Sequence, residues 1–364
     1  MKPYRIFTVN PGSTSTKIAL FDGDEERFSV SIDHDAEKLA QYPSISDQMP
    51  YRMETIRAAL AARGITLSGV DACVGRGGGL LPLAGGTYRV DALLLDHAIR
   101  GANGISHPAQ LGVQLARAFA AELGCPAFTV NPPDVDEYEP VARITGIRGV
   151  YRQSHLHSLN LKETAIRHSK RMGVRYEDCR YIVCHIGGGI SVSAHCCGRM
   201  IDGNDIAKGE GPMAPTRCGS VPTADIIELC RTGDPDELRL LCTKTGGLVD
   251  HLGTSDAREV RRRIESGDQR AKLVWEAMLY QIVKYIGAMA AVLHGRVDAI
   301  LLGGGLVHSE ELVQYITDCC GFLAPVYAYP GEFEMEAMAQ GAIRVLSGAE
   351  EARTYTGQAP LPPL

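Results

Sequence analysis

The stretch 181–195, YIVCHIGGGISVSAH, limits what this chain can fold into more than any other. Residues 181–186 are apolar and β-branched and read as a buried strand; 190–195 alternate their faces as a second strand. Between them stand Gly187, Gly188 and Gly189. A tight hairpin needs only one or two glycines. Three of them, followed by Ser191, leave bare main-chain N–H groups at a sharp bend where a phosphate can come close. Taken alone, the bend is equally a tight turn with a spare glycine.

The same plan recurs at the N-terminus. Residues 4–9 and 16–22 read as two strands joined by Asn10-Pro11-Gly12-Ser13-Thr14-Ser15. A Walker A loop needs Gly-Lys-Ser/Thr opening a helix, which is absent here. Lys17 lies in the alternating strand, so hydroxyls and turn amides would have to hold an anion. A third glycine cluster, Gly303-Gly304-Gly305, follows the strand 297–302 and precedes a helix from Ser309, an order suited to nucleotide contact. No GxGxxG precedes a helix, so a Rossmann reading fails as well.

Candidate anion-binding side chains occur elsewhere along the chain. Arg76 follows the strand 70–74 and lies among glycines that leave it unobstructed. Arg217 sits in 209–219, a loop rich in Gly and Pro and too rigid for a linker. His107 precedes an amphipathic helix through Leu123, where anions gather, with capping as its structural alternative. His155 and His157 stand near the start of a helical stretch, 152–170. Residues 201–204 read as a turn. The basic run Arg261-Arg262-Arg263, in a helix 256–265, reads as a solvated face. The helix 268–293 reads as a buried spine, and a final helix, 334–346, precedes a polar, proline-rich tail.

At 364 residues the chain has room for two domains. Asn131-Pro132-Pro133 and the acidic run after it mark a boundary. The net charge of -6 gives no reason to expect a nucleic-acid or anionic-membrane partner. Residues 1–9 lack the apolar core of a signal peptide, and no stretch is long and apolar enough to span a bilayer. Eleven cysteines, an odd number without a C-x-x-C pair, point to thiols in a reducing compartment and so to the cytoplasm.

Five stretches, in order over nearly the whole chain, carry a specific likeness. They are Val9-Asn10-Pro11-Gly12-Ser13-Thr14-Ser15-Thr16-Lys17, Val74-Gly75-Arg76-Gly77-Gly78, His185-Ile186-Gly187-Gly188-Gly189-Ile190-Ser191-Val192, Gly209-Glu210-Gly211-Pro212, and Tyr329-Pro330-Gly331-Glu332 leading to Glu334-Met335-Glu336-Ala337. In these the sequence resembles the acetate and sugar kinase/heat-shock protein/actin superfamily and, within its acetokinase family, the butyrate kinases. The resemblance implies an α/β fold of two actin-like (ribonuclease H-like) domains, mixed sheets flanked by helices, with the active-site cleft between them. Residues 1–140 plus 340–364 would form one domain, and 141–339 the other, carrying the dimer interface.

The implied activity is reversible transfer of the ATP γ-phosphoryl group to the carboxylate of a short-chain fatty acid, giving butyryl phosphate and ADP with Mg²⁺. The implied catalytic positions are Arg76, His107, His157, Arg217 and Asn131. Nucleotide contacts fall to Asn10, Gly12, Ser13, Thr14, Ser15, Lys17, His185, Gly187, Gly188, Gly189, Ser191, Gly303, Gly304 and Gly305. Metal contacts fall to Glu334, through water, and Asn10. A homo-oligomer, dimer or higher, is implied too. Three departures bear on this. Asn131 stands where relatives commonly have aspartate, with Asp134 or Asp136 as substitutes; His107-Pro108-Ala109-Gln110 replaces the usual His-Ala-Ser-Asn; and Leu156 stands where an aromatic is common. Branched-chain, acetate or propionate specificity, or a homologue impaired by Asn131, are the alternatives.

Overall fold

A computed structural model describes residues 3–358; the end of the proline-rich tail, 359–364, lies outside the described residues. The chain divides into two compact units, Met1–Asp136 with Phe333–Leu364, and Glu137–Glu332.

In the first unit, β1 (Arg5–Pro11), β2 (Ser15–Asp22), β3 (Glu25–Asp33), β4 (Ala72–Gly75), β5 (Thr87–Arg89) and β6 (Ala127–Val130) form one sheet in the order β3-β2-β1-β4-β6-β5. β1, β2 and β3 pair antiparallel, while β4 and β6 run parallel to β1. The second unit holds β7 (Arg180–Ile186), β8 (Ile190–Cys196), β9 (Arg199–Asp202), β10 (Ala299–Gly304) and β11 (Val326–Pro330), ordered β11-β10-β7-β8-β9. Here β7, β8 and β9 form the antiparallel meander, and β10 and β11 are the parallel strands. The two sheets thus repeat one plan: three antiparallel strands, then two parallel strands beside the first. Each plan puts a hairpin bend at the end of its opening strand.

Helices cover these sheets by the apolar faces their spacing supplies. In the first unit Met53, Ile56 and Leu60 of the helix Met49–Ala61 join Leu111, Leu115 and Phe119 of Gln110–Leu123 against Phe7, Val9, Ile18 and Leu20. In the second, Trp275, Met278, Ile282 and Ile286 of the 24-residue helix Gln269–Val292 pack on Ile182, Cys184 and Val192, so this helix is the spine its composition suggests. The final helix is Glu334–Leu346, with the bounds expected.

One strand, β3, went unread in the sequence, and two local expectations need correction. β3 is a strand with no strong sequence signal, because its outer edge leaves it mostly half-exposed or exposed and sparse in large apolar residues. Of the turn expected over 201–204, residues 201 and 202 instead close β9, and only 203 and 204 lie beyond the strand. The helix expected over 152–170 starts only at Ser158. Before it, Arg152 is drawn into an ion-pair set with Asp202 and Glu210, at 2.9 and 2.7 Å, and His155 lies 2.9 Å from Asp205. These contacts hold the preceding segment out of the helix.

Candidate functional site

In the first unit, β1 and β2 close with Pro11 opposite Thr16, leaving Gly12, Ser13 and Thr14 at the bend. The Gly12 N–H donates to the Ser15 carbonyl at 2.8 Å. Ser13, Thr14 and Lys17 are exposed, while Asn10 is half-buried at the end of β1. The Asn10 amide donates to Oε2 of Glu334 at 2.5 Å, and Nη1 of Arg76 lies 3.1 Å from Oε1 of the same carboxylate. Three residues far apart in the sequence therefore share one set of contacts.

The glycines around Arg76 bring its neighbours close. A Cβ on Gly75 would overlap the main chain at Gly112, and one on Gly112 would overlap the main chain of Arg76, so strand end and helix start pack backbone to backbone. Gly77 lies against Thr129 and Pro132, and Gly78 against Ala109. This places both His107 and Asn131 beside the Arg76 segment.

The helix after His107 begins at Gln110 rather than at Pro108. His107 caps the turn before it: its Nδ1 accepts from the Ala109 N–H at 3.1 Å, and the Gln110 side chain accepts from the His107 N–H at 3.0 Å. The reciprocal bonds are those of a capping box. Asn131 takes a left-handed φ of 39°, which asparagine tolerates better than most residues, and its Oδ1 accepts from the Gly86 N–H at 2.7 Å. Neither feature requires a charge at this position. Asp134 is occupied elsewhere, accepting from Asn103 at 2.6 Å and from the Leu80 N–H at 3.3 Å, and Asp136 is only 2% exposed.

In the second unit, β7 and β8 pair to Ile186 opposite Ile190, which sets Gly187, Gly188 and Gly189 alone in the bend. Not all their N–H groups are bare: that of Gly187 donates to the Gly189 carbonyl at 3.1 Å. The Gly188 carbonyl accepts both the main-chain N–H of Thr216, at 3.3 Å, and its hydroxyl, at 2.9 Å. Through Thr216 the loop carrying Arg217 is tied to the hairpin, and the Arg217 guanidinium lies flush on the Cα of Gly189, where any Cβ would overlap it. Burial lowers the Arg217 pKa from the ordinary arginine value. Its Nε is buried without a hydrogen-bond partner among the described residues.

His157, at the start of the helix Ser158–Met172, stacks on His185 with ring centroids 4.0 Å apart. Ser191 is fully buried, and its Oγ lies 2.8 Å from Nδ1 of His157 and accepts from the His157 main-chain N–H at 3.3 Å. The hydroxyl can donate to or accept from Nδ1; when it donates, a neutral ring carries its proton on Nε2. His185 is 3% exposed and its Nε2 is 3.7 Å from Glu332. Ser191 and His185 therefore meet His157 directly.

Gly303 pairs with His185 across β7 and β10, and Gly304, at φ 99°, lies against the main chain of Ile186 where no side chain fits. Beyond Gly305 opens a cavity of about 810 Å³, lined by Gly305, Leu306, Ser309, Arg258, Arg261 and Arg262 among others. This volume lies within the range of small-molecule pockets. The basic run keeps a solvated face at Arg262, which is exposed at the cavity edge, while Arg261 borders the same cavity paired with Glu311 and Arg263 pairs with Asp268 at 2.7 Å.

Sequence reasoning missed Thr216 and the cavity that Arg261 and Arg262 border. It also missed Arg52, which is fully buried beneath the first bend. A signal for Arg52 existed: it stands four residues before Ile56 and eight before Leu60, on the buried face of its helix.

Among the described residues no group of three or more His, Cys, Asp or Glu side chains could hold a metal ion, and no helix is long and apolar enough to cross a membrane. One carboxylate with an amide beside it, Glu334 with Asn10, suits Mg²⁺, a hard cation that keeps waters and substrate phosphates as its other ligands.

Known proteins resemble this chain in sequence and in fold. A family model described as the acetokinase family matches residues 144–322. A protein described as probable butyrate kinase 2, from Caldanaerobacter subterraneus subsp. tengcongensis, is 45% identical over 354 residues, 97% of this chain and 99% of that one. Acetate kinase from Porphyromonas gingivalis matches with a TM-score of 0.76 at 19% identity, over 94% of this chain and 100% of its own. A propionate kinase from Francisella tularensis gives 0.72 at 17%, over 93% and 98%. At these identities the solved structures establish the fold alone.

Proposed function

The chain belongs to the acetokinase family, and from that premise we propose that it is a butyrate-type acyl kinase, moving the ATP γ-phosphoryl group reversibly onto a short-chain fatty acid. The observation that carries the reading is Arg217: a guanidinium laid on a glycine bend, with no carboxylate paired to it among the described residues and a buried N–H directed at nothing. Such a group is suited to an anion. The butyrate assignment rests on the 45% identical relative.

A carboxylate acceptor is ionised at pH 7, so no general base is needed to make it a nucleophile. The difficulty is bringing one anion to another and stabilising the charge that develops on the moving phosphoryl group. Arg76 and Arg217 supply fixed positive charge for both tasks. His157, held by Ser191, donates from Nε2 to a phosphoryl oxygen, and His107 supports the phosphoryl end. The bends offer main-chain N–H groups to the polyphosphate, at Ser13 and Thr14 in the first and at Gly188 and Gly189 in the second, and the cavity beside Gly305 takes the adenosine. Glu334 and Asn10 would hold Mg²⁺ with water; when bound, the ion neutralises phosphate charge. Asn131 serves as a shaping residue for the Gly86 turn.

Two further features of the second unit support a homo-oligomer. The helices Thr223–Thr232 and Pro235–Leu240 contain no buried residue. Ile227, Leu229, Leu240, Leu273 and Tyr280 present apolar surface, from 45% to 68% exposed. A partner covering them would remove that surface from water. The eleven cysteines are all free thiols, in keeping with work in the cytoplasm.

The test is to incubate the protein with ATP, Mg²⁺ and straight or branched acids of two to six carbons and to trap acyl phosphate with hydroxylamine. Hydroxamate is expected to be greatest with a four-carbon acid. Hydroxamate from acetate alone would make this an acetate kinase, and none from any acid would overturn the reading.

A further inference from the structure

Arg52 is fully buried in the helix Met49–Ala61, yet no carboxylate pairs with it among the described residues. Its partners are neutral oxygens. Nη1 donates toward the carbonyls of Gly12 and Ser15, both at 2.9 Å, and toward the Thr16 hydroxyl at 3.0 Å. Nη2 donates to the Ser13 carbonyl at 3.1 Å and to the Gln48 side chain at 3.0 Å, and Nε reaches the same Gln48 oxygen at 3.2 Å. The Thr16 oxygen, accepting from Arg52, also lies 2.8 Å from Nε2 of His34. Burial brings the Arg52 pKa down to about 10, so the group remains charged at neutral pH. An unpaired buried charge is costly, and a core position beside Ile56 and Leu60 would ordinarily hold an apolar residue.

The polarity of the peptide bond supplies a reason for it. In a trans peptide the carbonyl of one residue and the N–H of the next point in opposite directions, and no cis peptide occurs among the described residues. With the carbonyls of Gly12 and Ser13 drawn inward to Arg52, the N–H groups of Ser13 and Thr14 must face outward. Both residues are exposed, and neither N–H donates to another protein group among the described residues. Successive outward N–H groups over a buried cation make an anion-binding concavity. The second bend is tied back in the same sense but without charge, by Thr216 on the Gly188 carbonyl.

We propose that Arg52 is the positioning residue of the first phosphate bend: it orients the Ser13 and Thr14 N–H groups toward the outer phosphates of ATP and lends them an uncompensated positive charge. This rests on the phosphotransferase reading above. Arg52 touches no ligand itself, so its removal acts on the outer phosphates and leaves the adenosine end alone.

The experiment measures ATP and AMP affinity by titration on the full chain, together with KM for ATP, KM for butyrate and thermal midpoint, for wild type, Arg52→Gln and Arg52→Lys. Arg52→Gln is expected to weaken ATP at least tenfold in both Kd and KM, with AMP affinity and KM for butyrate within about twofold of wild type. Arg52→Lys, which keeps the charge but not the planar fork, should fall between. Should Arg52→Gln fail to fold, Arg52→Lys decides, with ATP weakened at least threefold and AMP unchanged. A folded variant that binds ATP like wild type, or loses ATP and AMP affinity together, overturns the role of Arg52 while leaving the acyl kinase reading standing. A wild-type protein that binds no ATP overturns both.

Discussion

Gly189→Ala is the sharpest probe of the second bend, because it adds one methyl group whose three nearest neighbours are all atoms of Arg217. Gly189 is not in the left-handed region, so its backbone accepts alanine. The new Cβ would lie 2.6 Å from Cζ and 3.3 Å from Nη2 of Arg217, and nearer still to Nη1, where 3.4 Å is the onset of ordinary contact. The guanidinium must therefore retreat by about 1 Å or more, and a misplacement of about 1 Å at a reacting centre can cost about 100-fold. Losing one charge-stabilising donor costs about 100- to 1,000-fold in kcat. The displaced atoms are the far end of a flexible side chain, so the fold should hardly notice. We expect kcat to fall about 100-fold, with the thermal midpoint lowered by less than about 3 °C. The assay is ADP release at saturating ATP and butyrate, repeated in an Arg217→Ala background, where the added methyl should cost little further. A kcat within threefold of wild type, or a full additional loss in the double variant, would refute the placement of Arg217 over the bend.

Other expectations follow from the same geometry. Gly304→Ala should be the opposite case: its φ is 99° and its Cβ would press on the Ile186 main chain, so stability should fall by about 1–3 kcal/mol in urea unfolding. Ser191→Ala removes the group that orients His157 and should lower kcat about tenfold with KM for ATP unchanged; equal kcat would show that the hydroxyl is only a space filler. Asn131→Asp keeps an acceptor for the Gly86 N–H and should leave activity undiminished; a tenfold drop would mean that the uncharged amide matters. For pH, burial and the neighbouring Arg52 push His34 from 6.5 down to about 4, and burial also lowers His195. Below 6.5 the unfolded chain takes up protons that the folded chain refuses, so stability should decline as pH falls from 6.5 toward 4. The decline should be shallower in His34→Gln, and an unchanged slope of thermal midpoint against pH would count against it.

What was legible in the sequence was main-chain geometry. Glycine clusters after apolar runs announce strand ends and bends, since few other residues permit such close approach, and the bends lie where 10–15 and 187–189 suggested. The periodic helices at 269–292 and 334–346 were equally open to reading. Side-chain destinations were not. Arg52 looked like any polar helix residue until packing turned it inward, although its spacing with Ile56 and Leu60 marked the face. The solvated face at Arg262 was legible, but nothing in the local pattern says that Gly305 and Ser309, more than forty residues on, line the same cavity as Arg261 and Arg262. Ser191 and His157 are 34 positions apart, and only the pairing of β7 with β8 and the placement of the helix after His157 make them partners. Tertiary contacts of this kind leave no periodic trace.

The most direct measurement runs the reaction backwards: butyryl phosphate, ADP and Mg²⁺ are mixed with the protein and ATP is read by luciferase. Wild type should make ATP catalytically, and Arg76→Ala and Arg217→Ala, with thermal midpoints near that of wild type, should make at least 100-fold less. ATP formation undiminished in both variants, or absent with wild type, would contradict the account that these two guanidinium groups carry phosphoryl transfer.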